Sequence, residues 1–263
     1  MNFKFIISRV AGDENTFDKV FKEQLPNMQS EVLSVFDEAG KKYTIMQKYN
    51  RCIEEMIFKG VSEDDVWCFM HNDTGILDSE FVNKVEMVFK ETDTTMIGVV
   101  GSCELRDDGC WWGVSQASQR GHIIQGSKSK MVMDGFELIK GSVGFYDDVI
   151  ALDGLCLIVK AKSLVDSGIR FRTDIFSGNH FYDLSLCLDL LLAGYSLAVV
   201  DLLVYHQSEG AGNNQEVWTA ERNKFVKHYK SLGLVFPLDK KSIENYRKKN
   251  LHILDTTVQE FKL

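Results

Sequence analysis

Apolar residues in this chain gather into short, strand-like runs separated by stretches with helical spacing. The strongest run, Asp65-Val66-Trp67-Cys68-Phe69-Met70-His71-Asn72-Asp73-Thr74, is apolar, β-branched or aromatic until it stops at His-Asn-Asp. It reads as a buried strand of an α/β sheet with its polar residues at the carboxyl edge, where open α/β sheets bind ligands. Upstream, Phe3-Lys4-Phe5-Ile6-Ile7 predicts a strand, followed by a polar turn at Ala11-Gly12-Asp13 and a helix over about 14–25. A second strand is expected over 31–36, then a helix through 49–58 with Ile53, Met56 and Ile57 on one face. Downstream, a helix over 79–90 precedes another apolar strand over 95–101.

Periodicity fades across 102–143, where Arg106-Asp107-Asp108-Gly109, Trp111-Trp112-Gly113 and Gly121-His122 mark hairpins and loops. It returns as a strand over 149–159 interrupted by Asp153-Gly154, and a glycine inside a strand marks close approach by a ligand or another backbone. Ser177-Gly178-Asn179-His180-Phe181-Tyr182-Asp183 opens a helix that runs to about 193 and stops at Gly194. A strand over 196–205 then delivers His206, and helices follow over 216–230 and 240–249. This alternation predicts a parallel sheet with right-handed crossovers. A length of 263 residues fits one α/β domain, taken here as 1–230 with an insertion at 102–143, followed by a helical tail at 231–263.

Composition changes the picture of the partner more than that of the fold. With 44% hydrophobic residues and 2 prolines the chain is neither disordered nor Pro-rich, and a net charge of -8 argues against nucleic acid as its main partner. An anionic small molecule stays compatible where a metal or local dipoles offset the repulsion. The cysteines, Cys52, Cys68, Cys103, Cys110, Cys156 and Cys187, form no CxxC pair and predict reduced, buried small hydrophobes of a cytoplasmic protein. Cys103, Cys110 and His122 have irregular spacing and no evident fourth partner for zinc. No stretch reaches the ~20 apolar residues of a membrane span, and the amino terminus lacks a signal-peptide pattern. Oligomeric state is not legible.

The local patterns leave two readings open at several residues. Asp73 stands where a carboxylate can hold a hard divalent cation against phosphate, yet Asp73 or Asp78 equally suits capping of the helix that follows. Trp112 suits either stacking on a ligand or packing of a small hairpin sheet on the domain. Asp183 falls in the first turn of its helix, where the dipole favours a carboxylate.

Separated stretches span most of the chain: Lys48-Tyr49-Asn50-Arg51, Phe69-Met70-His71-Asn72-Asp73, Leu152-Asp153-Gly154, and His180-Phe181-Tyr182-Asp183 with Ala193-Gly194-Tyr195 and His206 behind it. In this order they resemble the GT-A glycosyltransferases of family 2, nearest the branch named after a streptomycin-biosynthesis protein. The resemblance implies a GT-A, Rossmann-like fold: a mixed, mainly parallel sheet flanked by helices, with a small β-rich insertion. It also implies transfer of a sugar from a nucleotide-sugar donor to a glycan or lipid-linked acceptor, with Mn2+ or Mg2+ as cofactor. The family's metal-binding DxD triplet falls on His71-Asn72-Asp73, where only the last position is a carboxylate. His206 matches a second ligand, with a strand-end histidine bonded to a loop carbonyl as the alternative. Asp183 matches the general base of inverting members, although Tyr182 and Ser185 stand where the family usually carries further acids. Asp153 and Gly154 match the loop under sugar and acceptor, and His180 and Trp112 complete the expected substrate contacts. Ser8 and Arg9 end the first strand where base and ribose sit, and Asn50 matches a position near the nucleotide, with helix capping as its other reading.

Two further readings compete. A GT-A-like module that binds nucleotide or glycan without turnover fits the thinned acidic motifs. A nucleotidyltransferase would need a Gly-rich basic loop after the first strand, and Arg9-Val10-Ala11-Gly12-Asp13 is a poor one.

Overall fold

A computed structural model describes residues 1–9, 30–35, 42–126, 144–207 and 215–260. The turn at 11–13, the helix expected over 14–25 and the 127–143 part of the insertion lie outside the described residues. In chain order the first strands are β1 (Asn2–Ser8), β2 (Ser30–Val35), β3 (Asp65–His71), β4 (Thr74–Ile76), β5 (Met96–Gly98), β6 (Val100–Ser102), β7 (Glu104–Leu105) and β8 (Gln119–Gly121). They are followed by β9 (Ile124–Gln125), β10 (Phe145–Tyr146), β11 (Ala151–Leu152), β12 (Cys156–Lys160), β13 (Leu197–Val200), β14 (Val204–His206) and β15 (Leu238–Asp239). The helices are α1 (Ile45–Lys59), α2 (Phe81–Glu91), α3 (Ala161–Ser167), α4 (Tyr182–Leu192), α5 (Gln215–Ser231) and α6 (Lys240–Glu260).

The main sheet has seven strands in the order β10-β13-β5-β12-β3-β1-β2. β1, β2, β3, β5 and β13 run one way, while β12 and β10 run the other. The sheet is therefore mixed and mainly parallel. The purely parallel expectation drawn from strand alternation fails at β12, which lies antiparallel between β3 and β5.

β3 is buried along its whole apolar run, as a strand covered on both faces should be. Beneath its end, α1 begins at a Thr44 cap whose hydroxyl accepts from Gln47 N–H while the Gln47 side chain accepts from Thr44 N–H. That helix docks through Tyr49, which donates its hydroxyl to Met70 O at 2.9 Å and packs at 5.0 Å from Phe69 and 5.1 Å from Phe171. The carboxyl end of β3 thus rests on a rigid aromatic floor.

Two expected strands divide. The run over 95–101 becomes β5 in the main sheet and β6 in a second sheet of order β11-β6-β8. Gly101 makes this possible: a Cβ there would lie 2.0 Å from Ala151 O, so only glycine lets β6 and β11 pair. The run over 196–205 likewise becomes β13 in the main sheet and β14 in a third sheet of order β4-β14-β9. Helix α3 was not anticipated, being only seven residues long and ended by Gly168 at φ 68°. The segment after 231 joins the common core, since Leu234, Phe236, Leu238 and Ile243 are buried and β15 pairs with β7.

Candidate functional site

The division of those strands builds the site. After β3 the chain turns at Asn72-Asp73 and re-enters as β4, while beyond β13 it re-enters as β14, and the two short strands pair antiparallel with Thr74 opposite His206. The ladder extends one step further, where Gln207 N–H donates to Asp73 O at 2.7 Å. A carboxylate at the end of one central strand and an imidazole more than a hundred residues away are thereby locked side by side.

His71, the last residue of β3, completes the group. His206 Nε2 lies 3.4 Å and His71 Nδ1 4.0 Å from the same Asp73 Oδ1, and the two imidazole centroids are 5.6 Å apart. Among the described residues these side chains form the one cluster with metal-holding spacing, with a ligand atom of each within 4.8 Å of the others. Two imidazoles and a carboxylate are a competent donor set for a divalent cation. Burial works against the charge of Asp73, but the His206 hydrogen bond and the charges of His206 and His71 outweigh it and hold the carboxyl below its usual range. Burial and then His206 push His71 down, toward the neutral imidazole that ligates metal.

A second acidic group stands behind Tyr182. Asp183, in the first turn of α4, accepts from Gly154 N–H at 3.0 Å and from Leu184 N–H at 2.9 Å. Burial, reinforced by the charge of Asp153, raises its carboxyl to about 7 despite those backbone donors. Asp153 itself turns the loop: its N–H donates to Val100 O and its carboxylate accepts from Leu155 N–H, each at 3.0 Å. Tyr182 bridges the two halves, with its hydroxyl 2.6 Å from His71 Nε2 and donating to Gly154 O at 3.1 Å.

The turn into α4 is strained. Phe181 is the non-glycine residue at positive φ among those described, at 61°, a conformation that costs a bulky residue roughly 1–2 kcal/mol. Its buried ring is held 5.6 Å from Trp218 and 5.3 Å from Phe225 of α5. Glu221 of α5, itself buried, accepts from Ser177 N–H at 3.2 Å and steadies the preceding loop.

The residues singled out from sequence fare differently. Asp73 and His206 meet, joined by His71, whose spacing of two from Asp73 was the available signal. Asp153 and Asp183 also meet. Ser8 is in register with His71 on the neighbouring strand, and buried Arg9 follows it, its carbonyl accepting from Lys48 Nζ at 2.8 Å. Half-buried His180 lies on the strained turn, its pKa lowered by burial. Trp112 is 45% exposed, 6.0 Å from buried Trp111 and 5.7 Å from Trp218, so the pair is half core and half surface.

Two expectations need correction. Asn50 lies inside α1 and caps no helix: its amide donates to Phe171 O at 2.8 Å and accepts from Phe171 N–H at 3.0 Å, which uses it to pin that loop. Gly154 is buried, and a Cβ on it would fall 2.1 Å from the Tyr182 hydroxyl. The Tyr182 hydroxyl accounts for the close approach that demands glycine there. Cys103, Cys110 and His122, whose spacing argued against zinc, form no metal-holding group among the described residues, and His122 faces Asp201 at 3.4 Å.

Residues 25–230 match the profile described as a glycosyltransferase-like family. No curated protein matches the chain. Among solved structures it is similar to GalNAc-T7 with UDP, GalNAc and Mn2+, at 10% identity and a TM-score of 0.54, covering 94% of this chain and 54% of that one. It is also similar to the mannosyltransferase PcManGT from Pyrobaculum calidifontis in complex with GDP-Man and Mn2+, at 9% identity and a TM-score of 0.52, covering 99% and 72%. The chain thus spans about half the length of the first of these structures. At such identities the likeness speaks for the fold alone, which is the GT-A arrangement of a mixed sheet flanked by helices.

Proposed function

The chain belongs to the glycosyltransferase-like family, and from that premise we propose that it moves a sugar from a nucleotide-sugar donor to an acceptor hydroxyl with inversion at the anomeric carbon. The observation that carries this reading is the His71–Asp73–His206 group, which Tyr182 and Gly154 link to the half-buried carboxylate of Asp183. The first three would hold a divalent cation on the donor's diphosphate, and the mixed nitrogen and oxygen donors suit Mn2+ better than Mg2+, which favours oxygen ligands alone. When bound, that ion supplies positive charge against the charge developing on the leaving diphosphate.

Asp183 is the base. As the acceptor oxygen bonds to the anomeric carbon and the bond to the diphosphate oxygen breaks, the acceptor's proton passes to a carboxylate oxygen of Asp183 and the nucleoside diphosphate departs. A pKa raised to about 7 matches this task, because the group is strong enough to take the proton and still ionised at neutral pH in a useful fraction. Asp153 keeps the loop in place and adds the negative charge that raises its neighbour. Ser8 and Arg9, at the adjoining strand end, border the space for base and ribose, while His180 and the exposed face of Trp112 border the acceptor side. The proposed acceptor is a glycan or a lipid-linked molecule that offers a hydroxyl. Asp183→Asn tests the assignment: turnover should fall while donor binding, followed by titration calorimetry with Mn2+, stays intact. Unchanged turnover in that variant would remove Asp183 as the base.

A further inference from the structure

Tyr182 occupies a position that the transferase chemistry does not by itself require. Its side chain is buried at 4% exposure, and its ring is packed 6.2 Å from Tyr49, 5.9 Å from Phe171 and 6.3 Å from His71. The hydroxyl is therefore fixed between His71 Nε2 at 2.6 Å and Gly154 O at 3.1 Å. A phenol has one hydrogen, and a carbonyl oxygen can only accept. With that hydrogen on Gly154 O, the phenol oxygen is left to accept from His71. A neutral imidazole has one ring N–H, so donation from Nε2 assigns the proton there and leaves the lone pair on Nδ1. Nδ1 is the nitrogen that faces Asp73 Oδ1, at 4.0 Å.

Glycine at 154 makes the arrangement possible, since a Cβ would stand 2.1 Å from the hydroxyl. The same glycine donates its N–H to Asp183 Oδ2 at 3.0 Å. One peptide segment thus receives the tyrosine hydrogen and holds the acidic group. We propose that Tyr182 is a positioning residue that fixes His71 as its Nε2–H tautomer, aims the Nδ1 lone pair into the His71–Asp73–His206 centre and ties that centre through Gly154 to Asp183. The inference rests on the transferase reading for the purpose of the centre, but tautomer and metal affinity belong to the protein and the ion alone. Partners that orient a ligating histidine in this way typically change metal affinity 10–100-fold when removed.

Two measurements on the full chain test it. Two-bond nitrogen–proton correlations of the labelled, metal-free protein, with His71 assigned by its loss in His71→Gln, read the tautomer directly. The expected result is Nε2–H in the wild type and a mixture in Tyr182→Phe; Nδ1–H as the main wild-type form overturns the proposal with no variant needed. Mn2+ binding without donor, followed by the electron paramagnetic resonance of free Mn2+, should weaken about tenfold or more in Tyr182→Phe. Gly154→Ala, whose added methyl displaces the hydroxyl, should show the same loss and serves if the first variant fails to fold. Ser185→Ala, which removes only the bond from Ser185 Oγ to Tyr182 O in the same turn, should bind as the wild type does. Equal Mn2+ affinity in Tyr182→Phe and wild type overturns the proposal. A wild type that binds no Mn2+ but holds His71 as Nε2–H under Tyr182 control removes the metal from the proposed function and leaves the assignment standing. Mn2+ bound with His71 as Nδ1–H does the reverse.

Discussion

At the scale of single residues, burial decides the chemistry of the two aspartates. Asp73 and Asp183 are both partly withdrawn from water, but two imidazoles offset the cost for Asp73, whereas Asp183 has only backbone donors and a like charge nearby. Replacing Asp183 by asparagine should lower turnover about 10²–10⁴-fold, the usual contribution of a general base. The wild-type rate should rise with pH through about 7 and that limb should vanish in the variant, as a stopped assay across pH 5–9 would record. The same shift has a stability consequence of definite sign. An unfolded aspartate titrates near ~3.9, so between there and about 7 the folded protein keeps a proton that the unfolded chain has lost. Its contribution is fully present below pH ~4 and is lost as pH rises through about 7. The decline in thermal midpoint over that window should therefore be shallower in Asp183→Asn than in wild type.

At the scale of elements, the site depends on short strands that leave the main sheet and on loops pinned from outside it. Gly101→Ala would press a methyl against Ala151 O, force β6 from β11 and cost about 1–3 kcal/mol in a urea melt, seen as a lower midpoint at unchanged slope. Asn50→Ala should cost about 2 kcal/mol, because it leaves both polar groups of Phe171 unpaired next to the aromatic floor. Long apolar runs were legible from sequence for a physical reason: β3 and α4 bury nearly all of their residues and so read as unbroken apolar stretches, while α1 buries one face and so carries the period of a helix. The runs over 95–101 and 196–205 read as single strands because a change of sheet alters partners without altering hydrophobicity. His71 and Tyr182 were visible as residues, but their use was not. A contact between positions 111 residues apart follows from packing, which one-dimensional spacing does not record. The pairing of the Asn50 amide with the backbone of Phe171 was hidden for a similar reason.

At the scale of the whole molecule, one core serves both the site and its surroundings. The boundary expected at 230 cuts through it, since Leu234, Phe236, Leu238 and Ile243 are buried beyond that point and Leu238 pairs with Leu105. A chain ended at residue 230 should lose cooperative unfolding, and circular dichroism during a thermal ramp would show a broad slope where the full chain gives one transition. The net charge of -8 would repel a nucleoside diphosphate from a bare surface, so donor binding should depend on the ion held by His71, Asp73 and His206. No helix among the described residues is long and apolar enough to cross a membrane. The proposed function turns on this metal-dependent hold on a nucleotide sugar. Its most direct test is the thermal midpoint of the full chain with UDP, GDP, CDP and dTDP sugars, each with Mn2+ and with EDTA, in wild type and Asp73→Asn. A ligand that binds the folded state at a hundred times its Kd adds about 2.7 kcal/mol. The expected result is a rise for one nucleotide that needs Mn2+ and disappears in Asp73→Asn. No rise with any nucleotide, or a rise indifferent to both metal and Asp73, would contradict it.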